Sequence, residues 1–108
     1  MQMLSSNCPF VGKTFIFEYD GFIARDTFIS DTEVAYEVLS GPATGIRGNA
    51  IFTSRKVSDT QYLITWQEDD GGTVVHLDDF EKGLSFSHYT NADHAFFVMD
   101  GRIREVVE

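Results

Sequence analysis

Positive charge is scarce in this chain. Eight Lys and Arg stand against seventeen Asp and Glu, a net charge of −9. A phosphate backbone or an anionic bilayer repels such a surface, and no local run of Lys or Arg offsets it. Neither nucleic acid nor a membrane is therefore an expected partner. The acidity reads as a well-solvated exterior. Cysteine is nearly absent too: Cys8 stands alone, which rules out an intrachain disulfide. With no CxxC and no neighbouring His, its thiol reads as structural rather than nucleophilic. No apolar run reaches membrane-spanning length. The opening MQMLSSNCPF has neither a charged n-region nor an apolar h-region, so a secretory signal is not expected. Together these absences point to a cytoplasmic protein.

Aromatic residues, by contrast, are plentiful. Ten Phe and four Tyr supply much of the hydrophobic 43% of a 108-residue chain, enough for one core and no more. Aromatics favour strands and line pockets. Residues 1–10 read as an N-terminal arm, and residues 11–108 as a single β-barrel domain. Within that domain, short apolar–polar alternations are separated by turn residues, the pattern of strands and hairpins.

Gly12–Tyr19 (GKTFIFEY) puts Phe15, Phe17 and Tyr19 on one face, and Asp20-Gly21 supplies a tight turn. Further strands are expected at 22–30, 33–39, 49–57, 61–67, 73–79, 83–90 and 94–99. Asp100-Gly101 reads as one more hairpin turn before a strand at 102–107. The fold class is all-β: a small antiparallel up-and-down β-barrel of eight to nine strands, calycin- or lipocalin-like. Closure leaves no exposed edge to aggregate. One segment carries a competing signal. Ser30 and Glu33 have capping-box spacing and Gly41 could end a helix, so residues 31–40 read as strand or helix.

The run from Tyr62 to Phe80, YLITWQEDDGGTVVHLDDF, has a strand ending W-x-E, a Gly-containing turn and a strand ending D-F. It resembles the small calycin-like barrels related to the molybdenum-cofactor-operon protein MoaF. The layout is similar, more distantly, to phenolic acid decarboxylases, which also share the Gly12-Lys13 strand ending in Tyr19 and the Tyr36-to-Ser40-Gly41 segment. The likeness to the decarboxylases implies a pocket with a Glu after the Trp, kept here as Glu68, and a Tyr on the first strand, kept as Tyr19. Their other first-strand Tyr position holds Phe17, and the position implied for a carboxylate-binding cation holds Glu37. An anion there repels a carboxylate substrate, which disfavours phenolic acid decarboxylation. The MoaF-like likeness implies no defined reaction.

Candidate site residues follow from the strand period of two. Trp66 and Glu68 share a face; Glu68 near apolar walls would have a raised pKa and could serve as an acid/base group. Its bland alternative is a solvated turn residue. His76, between Val74 and Asp78, and His88, after Leu84 and Phe86, read as wall residues, as pocket polar groups or, with a third ligand such as Glu68, as metal ligands. Glu68 and His76 are the catalytic candidates; Phe17, Tyr19, Tyr36, Trp66 and His88 are the ligand-binding candidates. Arg25 is either a ligand-orienting group or an outward residue paired with Asp26 or Glu18. No HxH or ExxH spacing marks a metal site, and no cofactor is expected. The Gly-rich Ser40–Gly48 segment lacks a GK[ST] and reads as a rim connection or lid.

The expected partner is thus a small organic molecule, aromatic or heterocyclic, in an aromatic-lined interior. A cofactor-independent lyase or isomerase on the same scaffold and a non-catalytic interaction module are the rival readings. Homodimerisation is compatible with so small a barrel.

Overall fold

The computed structural model describes residues 8–107. Eight strands account for most of them: β1 Thr14–Tyr19, β2 Phe22–Phe28, β3 Glu33–Ser40, β4 Arg47–Lys56, β5 Gln61–Gln67, β6 Thr73–Asp79, β7 Leu84–Thr90 and β8 Phe96–Glu105. Each strand pairs antiparallel with the next, and β8 returns to pair with β1, closing the sheet. The expected up-and-down barrel is the observed fold. No helix long and apolar enough to cross a membrane occurs among the described residues.

Within residues 31–40, Glu33–Ser40 form strand and none forms helix. The capping signal at Ser30 is real, but it caps a turn: its Oγ accepts the backbone N–H of Thr32 at 3.2 Å and of Glu33 at 3.1 Å. The extended chain puts Val34, Tyr36 and Val38 on one inward face. It also supplies the backbone groups that pair with β2 on one side and β4 on the other, which a helix would leave unpaired.

The strand count settles at eight because Asp100-Gly101 is not a turn. Gly101 lies within β8, opposite Tyr19 on one neighbour and Ser85 on the other. A Cβ at Gly101 would stand 2.4 Å from the Tyr19 ring. The glycine is there to let that ring pass, rather than to reverse the chain. The reversal expected near Asn91 does occur, and β8 starts at Phe96 rather than His94. Asn91 Oδ1 accepts the N–H groups of Asp93 and Ala95 at 2.9 and 3.0 Å. His94 takes a left-handed φ of 69° to complete that turn.

The segment expected as an arm holds a core residue. Residues 1–7 lie outside the described part, but Phe10 is 1% exposed and plugs one end of the barrel. Its ring stacks on Phe80 at 5.0 Å and meets Phe28 edge-on at 4.7 Å and Tyr62 at 5.3 Å. Aromatic pairs at these separations add to the area term of burial. Local sequence could not show this, because a single Phe in an irregular stretch has no period to read. The motif ending Asp79-Phe80 belongs to this end of the barrel. Asp79 Oδ1 accepts the N–H groups of Glu81 and Lys82 at 3.1 and 2.9 Å, and Oδ2 accepts the Thr60 hydroxyl at 3.2 Å. These bonds, that from Lys82 foremost, hold its carboxyl below the usual range.

Two substitutions probe this construction. Phe10→Ala is expected to cost about 3–5 kcal/mol in urea unfolding, the usual range for a buried Phe. Gly101→Ala is expected to cost about 1–3 kcal/mol by crowding the Tyr19 ring. An unchanged midpoint in either variant contradicts the corresponding contact.

Candidate functional site

Away from the Phe10 end, the inward-facing positions turn small or polar. Ala24 and Asp26 on β2 and Ser87 on β7 leave space that Phe side chains fill at the other end, while Ser85 and Gly101 make room for the Tyr19 side chain. The result is a cavity of about 450 Å³, open where the β1–β2, β3–β4, β5–β6 and β7–β8 connections meet. Phe17, Tyr19, Tyr36, Trp66, Glu68 and His76 all line it. The structure therefore brings together six of the seven candidate residues.

His88 is the exception. Its side chain is exposed on the outer face, tilted against Phe96 at 5.9 Å. The strand GLSFSHYT offers two faces, and choosing the one with Leu84 and Phe86 as inward was wrong. Phe86 is 39% exposed, whereas Ser85 and Ser87 are buried and Tyr89 lines the cavity. Small hydroxyls are needed inside because the Tyr19 ring and the His76 ring occupy that space. Tyr19 Oη bonds Ser85 Oγ at 2.7 Å, and Ser87 lies opposite His76. Burial first, and Asp78 second, raise the Tyr19 pKa, so the phenol stays protonated.

The aromatic wall is ordered by stacking. Tyr36 lies nearly parallel to Trp66, with ring centres 6.2 Å apart. It crosses Gly48, where a Cβ would stand 2.7 Å from the Tyr36 hydroxyl. Trp66 in turn meets the His76 ring edge-on at 5.3 Å, and Phe17 meets it at 5.1 Å.

Glu68 both opens a turn and faces the cavity. Its backbone closes the tight β5–β6 connection, with the Glu68 N–H donating to Gly72 O at 2.7 Å. Its side chain folds back so that Oε2 accepts Trp66 Nε1–H at 3.4 Å and Oε1 accepts the Tyr89 hydroxyl at 3.5 Å. Desolvation raises its pKa; the Trp66 bond opposes the rise, and Asp70 adds to it. Tyr89, desolvated beside that carboxylate, is pushed up to about 12.

The inner end of the cavity holds a carboxylate that sequence reading passed over. Asp26 is 3% exposed and lines the cavity. Its signal was its place between Ala24 and Phe28 on one strand face, which the alternation in FIARDTF contains. Reading Asp26 as a partner of Arg25 hid it. Arg25 instead lies outside and pairs with Glu37 at 3.4 Å. Glu37 is thus an outer-face residue, and the charge argument built on its presence in the pocket falls. Burial pushes the Asp26 carboxyl up to about 7, against the pull of His76, with Asp78 and Glu68 raising it further.

His76 is fixed by Asp78. Its Nδ1–H donates to Asp78 Oδ2 at 3.1 Å, both side chains being buried. Burial opposes charge on the imidazole, but Asp78 and then Asp26 outweigh it, and the His76 pKa is raised. Asp78 Oδ1 is buried with no hydrogen-bond partner; an orphan of this kind costs about 1–3 kcal/mol. Among the described residues, no three His, Cys, Asp or Glu side chains are grouped to hold a metal ion.

The pH behaviour follows from the sign of the Asp26 shift. Its folded pKa of about 7 exceeds the ordinary 3.8, so the folded chain keeps a proton that the unfolded chain releases. That contribution to stability is full below about pH 4 and is lost as pH rises through about 7. The raised His76 pKa acts in the same direction at the upper end of this range. Asp26→Asn is expected to flatten the decline, as judged by urea unfolding at about pH 4.5 and about pH 7.5. An equal decline in variant and native chain contradicts the assignment.

The family model described as MoaF-like matches residues 11–104. No curated protein matches the chain. Among solved structures, the chain is similar to that of "a putative beta-lactamase from Burkholderia vietnamiensis". The two are 40% identical, with a TM-score of 0.89, over 91% of this chain and 96% of that one.

Proposed function

The chain belongs to the MoaF-like family, and on that premise we propose that it binds a small organic molecule inside its barrel. The observation that carries this reading is the cavity of about 450 Å³, closed at the inner end and walled by Phe17, Tyr36 and Trp66. Drug-sized ligands occupy clefts of roughly 300–1,000 Å³ that are mostly apolar with a few placed polar groups. Rings stacked as Tyr36 and Trp66 are suit a flat aromatic or heterocyclic guest. The binding role needs no cofactor, and the lone thiol fits a cytoplasmic setting.

The β-lactamase activity named for the relative is not adopted. A serine nucleophile of that kind works beside a lysine, and the cavity serine, Ser87, shares its surroundings with carboxylates and no lysine. A second reading, acid–base catalysis by Glu68 or His76, is favoured by one observation: both lie in the cavity with raised pKa values. It predicts that Glu68→Gln abolishes turnover of a substrate while binding survives; normal turnover in that variant removes it.

Trp66 is the single tryptophan and it lines the cavity, so its emission reports occupancy. N-phenyl-1-naphthylamine, a flat neutral probe, is expected to quench it saturably at one molecule per chain. Ala24→Phe, which fills the cavity, is expected to weaken that binding at least about tenfold. Quenching that never saturates, or that survives Ala24→Phe unchanged, contradicts binding in the barrel.

A further inference from the structure

We infer that the guest of this cavity is an organic cation, a protonated amine carried on a flat ring, with Asp26 as its anchor. The inference rests on the binding reading above and gives the ligand a charge. The charged side chains that line the cavity are Asp20, Asp26, Glu68 and Asp70, and no Lys or Arg is among them. His76 is the one cavity group that can carry positive charge, and its bond to Asp78 at 3.1 Å offsets that charge within the wall. The cavity as a whole is therefore anionic.

Asp26 sets the position of the cation. It is buried to 3% exposure at the cavity surface, and no protein hydrogen bond contributes to its state. A carboxylate desolvated without donors is costly to ionise. An ammonium group beside it would supply both the counter-charge and the N–H donors that the protein withholds. Charge-assisted bonds of this kind are about twice as strong as neutral ones. The walls favour the same sign. Trp66, Tyr36 and Phe17 line the cavity, and the negative face of an aromatic ring attracts a cation within about 6 Å. Glu68, at the mouth, would draw cations toward the opening.

An anionic guest meets the opposite conditions. It would sit against Asp26 with no Lys or Arg to hold it and with His76 already paired to Asp78, the like-charge case that suppresses wrong partners. The case against carboxylate substrates thus rests on Asp26 and the lack of a lining Lys or Arg, not on Glu37.

The test uses three probes of one shape: 1-naphthylmethylamine, 1-naphthylmethanol and 1-naphthoate, titrated by calorimetry near pH 7.5 with Trp66 emission as a check on location. The ammonium is expected to bind at least about tenfold more tightly than the alcohol, and the carboxylate more weakly than both. Asp26→Asn is expected to lower the ammonium-to-alcohol ratio markedly, leaving only the smaller preference set by Glu68 and the aromatic walls. If the alcohol or the carboxylate matches the ammonium in the native chain, the inference is overturned while the binding reading stands. If the preference persists in full in Asp26→Asn, the anchor is wrong and the inference fails. If none of the three binds, both the inference and the reading beneath it fall. Should Asp26→Asn not fold, the native series still decides the sign of the charge, and Glu68→Gln is expected to lower the ammonium's affinity alone; equal losses for ammonium and alcohol there contradict an electrostatic role.

Discussion

The stacked contact between Phe10 and Phe80, 5.0 Å between ring centres, governs what the rest of the barrel can do. Eight strands enclose a space wide enough to be filled by side chains or to hold one small molecule. Phe10 lies outside the eight strands and, with Phe28, Phe52 and Tyr62, fills one end of the barrel. With that end sealed, the space left at the other is a cup rather than a channel. A cup can hold a guest away from water; an open tube would leave it solvated from both sides.

The same sheet makes the cup through small residues. Gly101 yields to the Tyr19 ring, Gly48 yields to Tyr36, and Ser85 gives the Tyr19 hydroxyl a partner. These positions look unremarkable as composition, yet each decides where a large ring lies. Once the rings are placed, the polar groups fall into two levels. Asp26 and the His76–Asp78 pair lie buried at the inner end, and Glu68 sits half-buried at the mouth, tied to Trp66 and Tyr89. The buried level is costly: a carboxyl pushed up to about 7 and an orphan carboxylate oxygen both work against stability. Strain of that sort persists where the surrounding fold outweighs it, and it concentrates at functional sites.

Much of this was legible in the alternation of the sequence. Phe15, Phe17 and Tyr19, or Tyr62, Ile64 and Trp66, are spaced for one sheet face, and a period of two has only one inward solution when one face is plainly apolar. The reading failed where both faces were plausible. In β7 the apolar Leu84 and Phe86 face outward because Ser85 and Ser87 must make room for rings from β1 and β6, a demand written in other strands. Asp26 was hidden by the habit of pairing a charged residue with its neighbour, although its parity with Ala24 and Phe28 put it inside. Phe10 carried no periodic signal, and the Asp100-Gly101 dipeptide carried a misleading one. In each case the missing information was tertiary: which side chain from a distant strand needs the space.

The most direct test of an anionic, one-ended cup is a crystal structure of the chain with 1-naphthylmethylamine. The account predicts the fused rings between Trp66 and Phe17, with the nitrogen pointing inward within hydrogen-bond distance of the Asp26 carboxyl. Rings bound outside the barrel, or bound inside with the nitrogen turned away from Asp26, would contradict it.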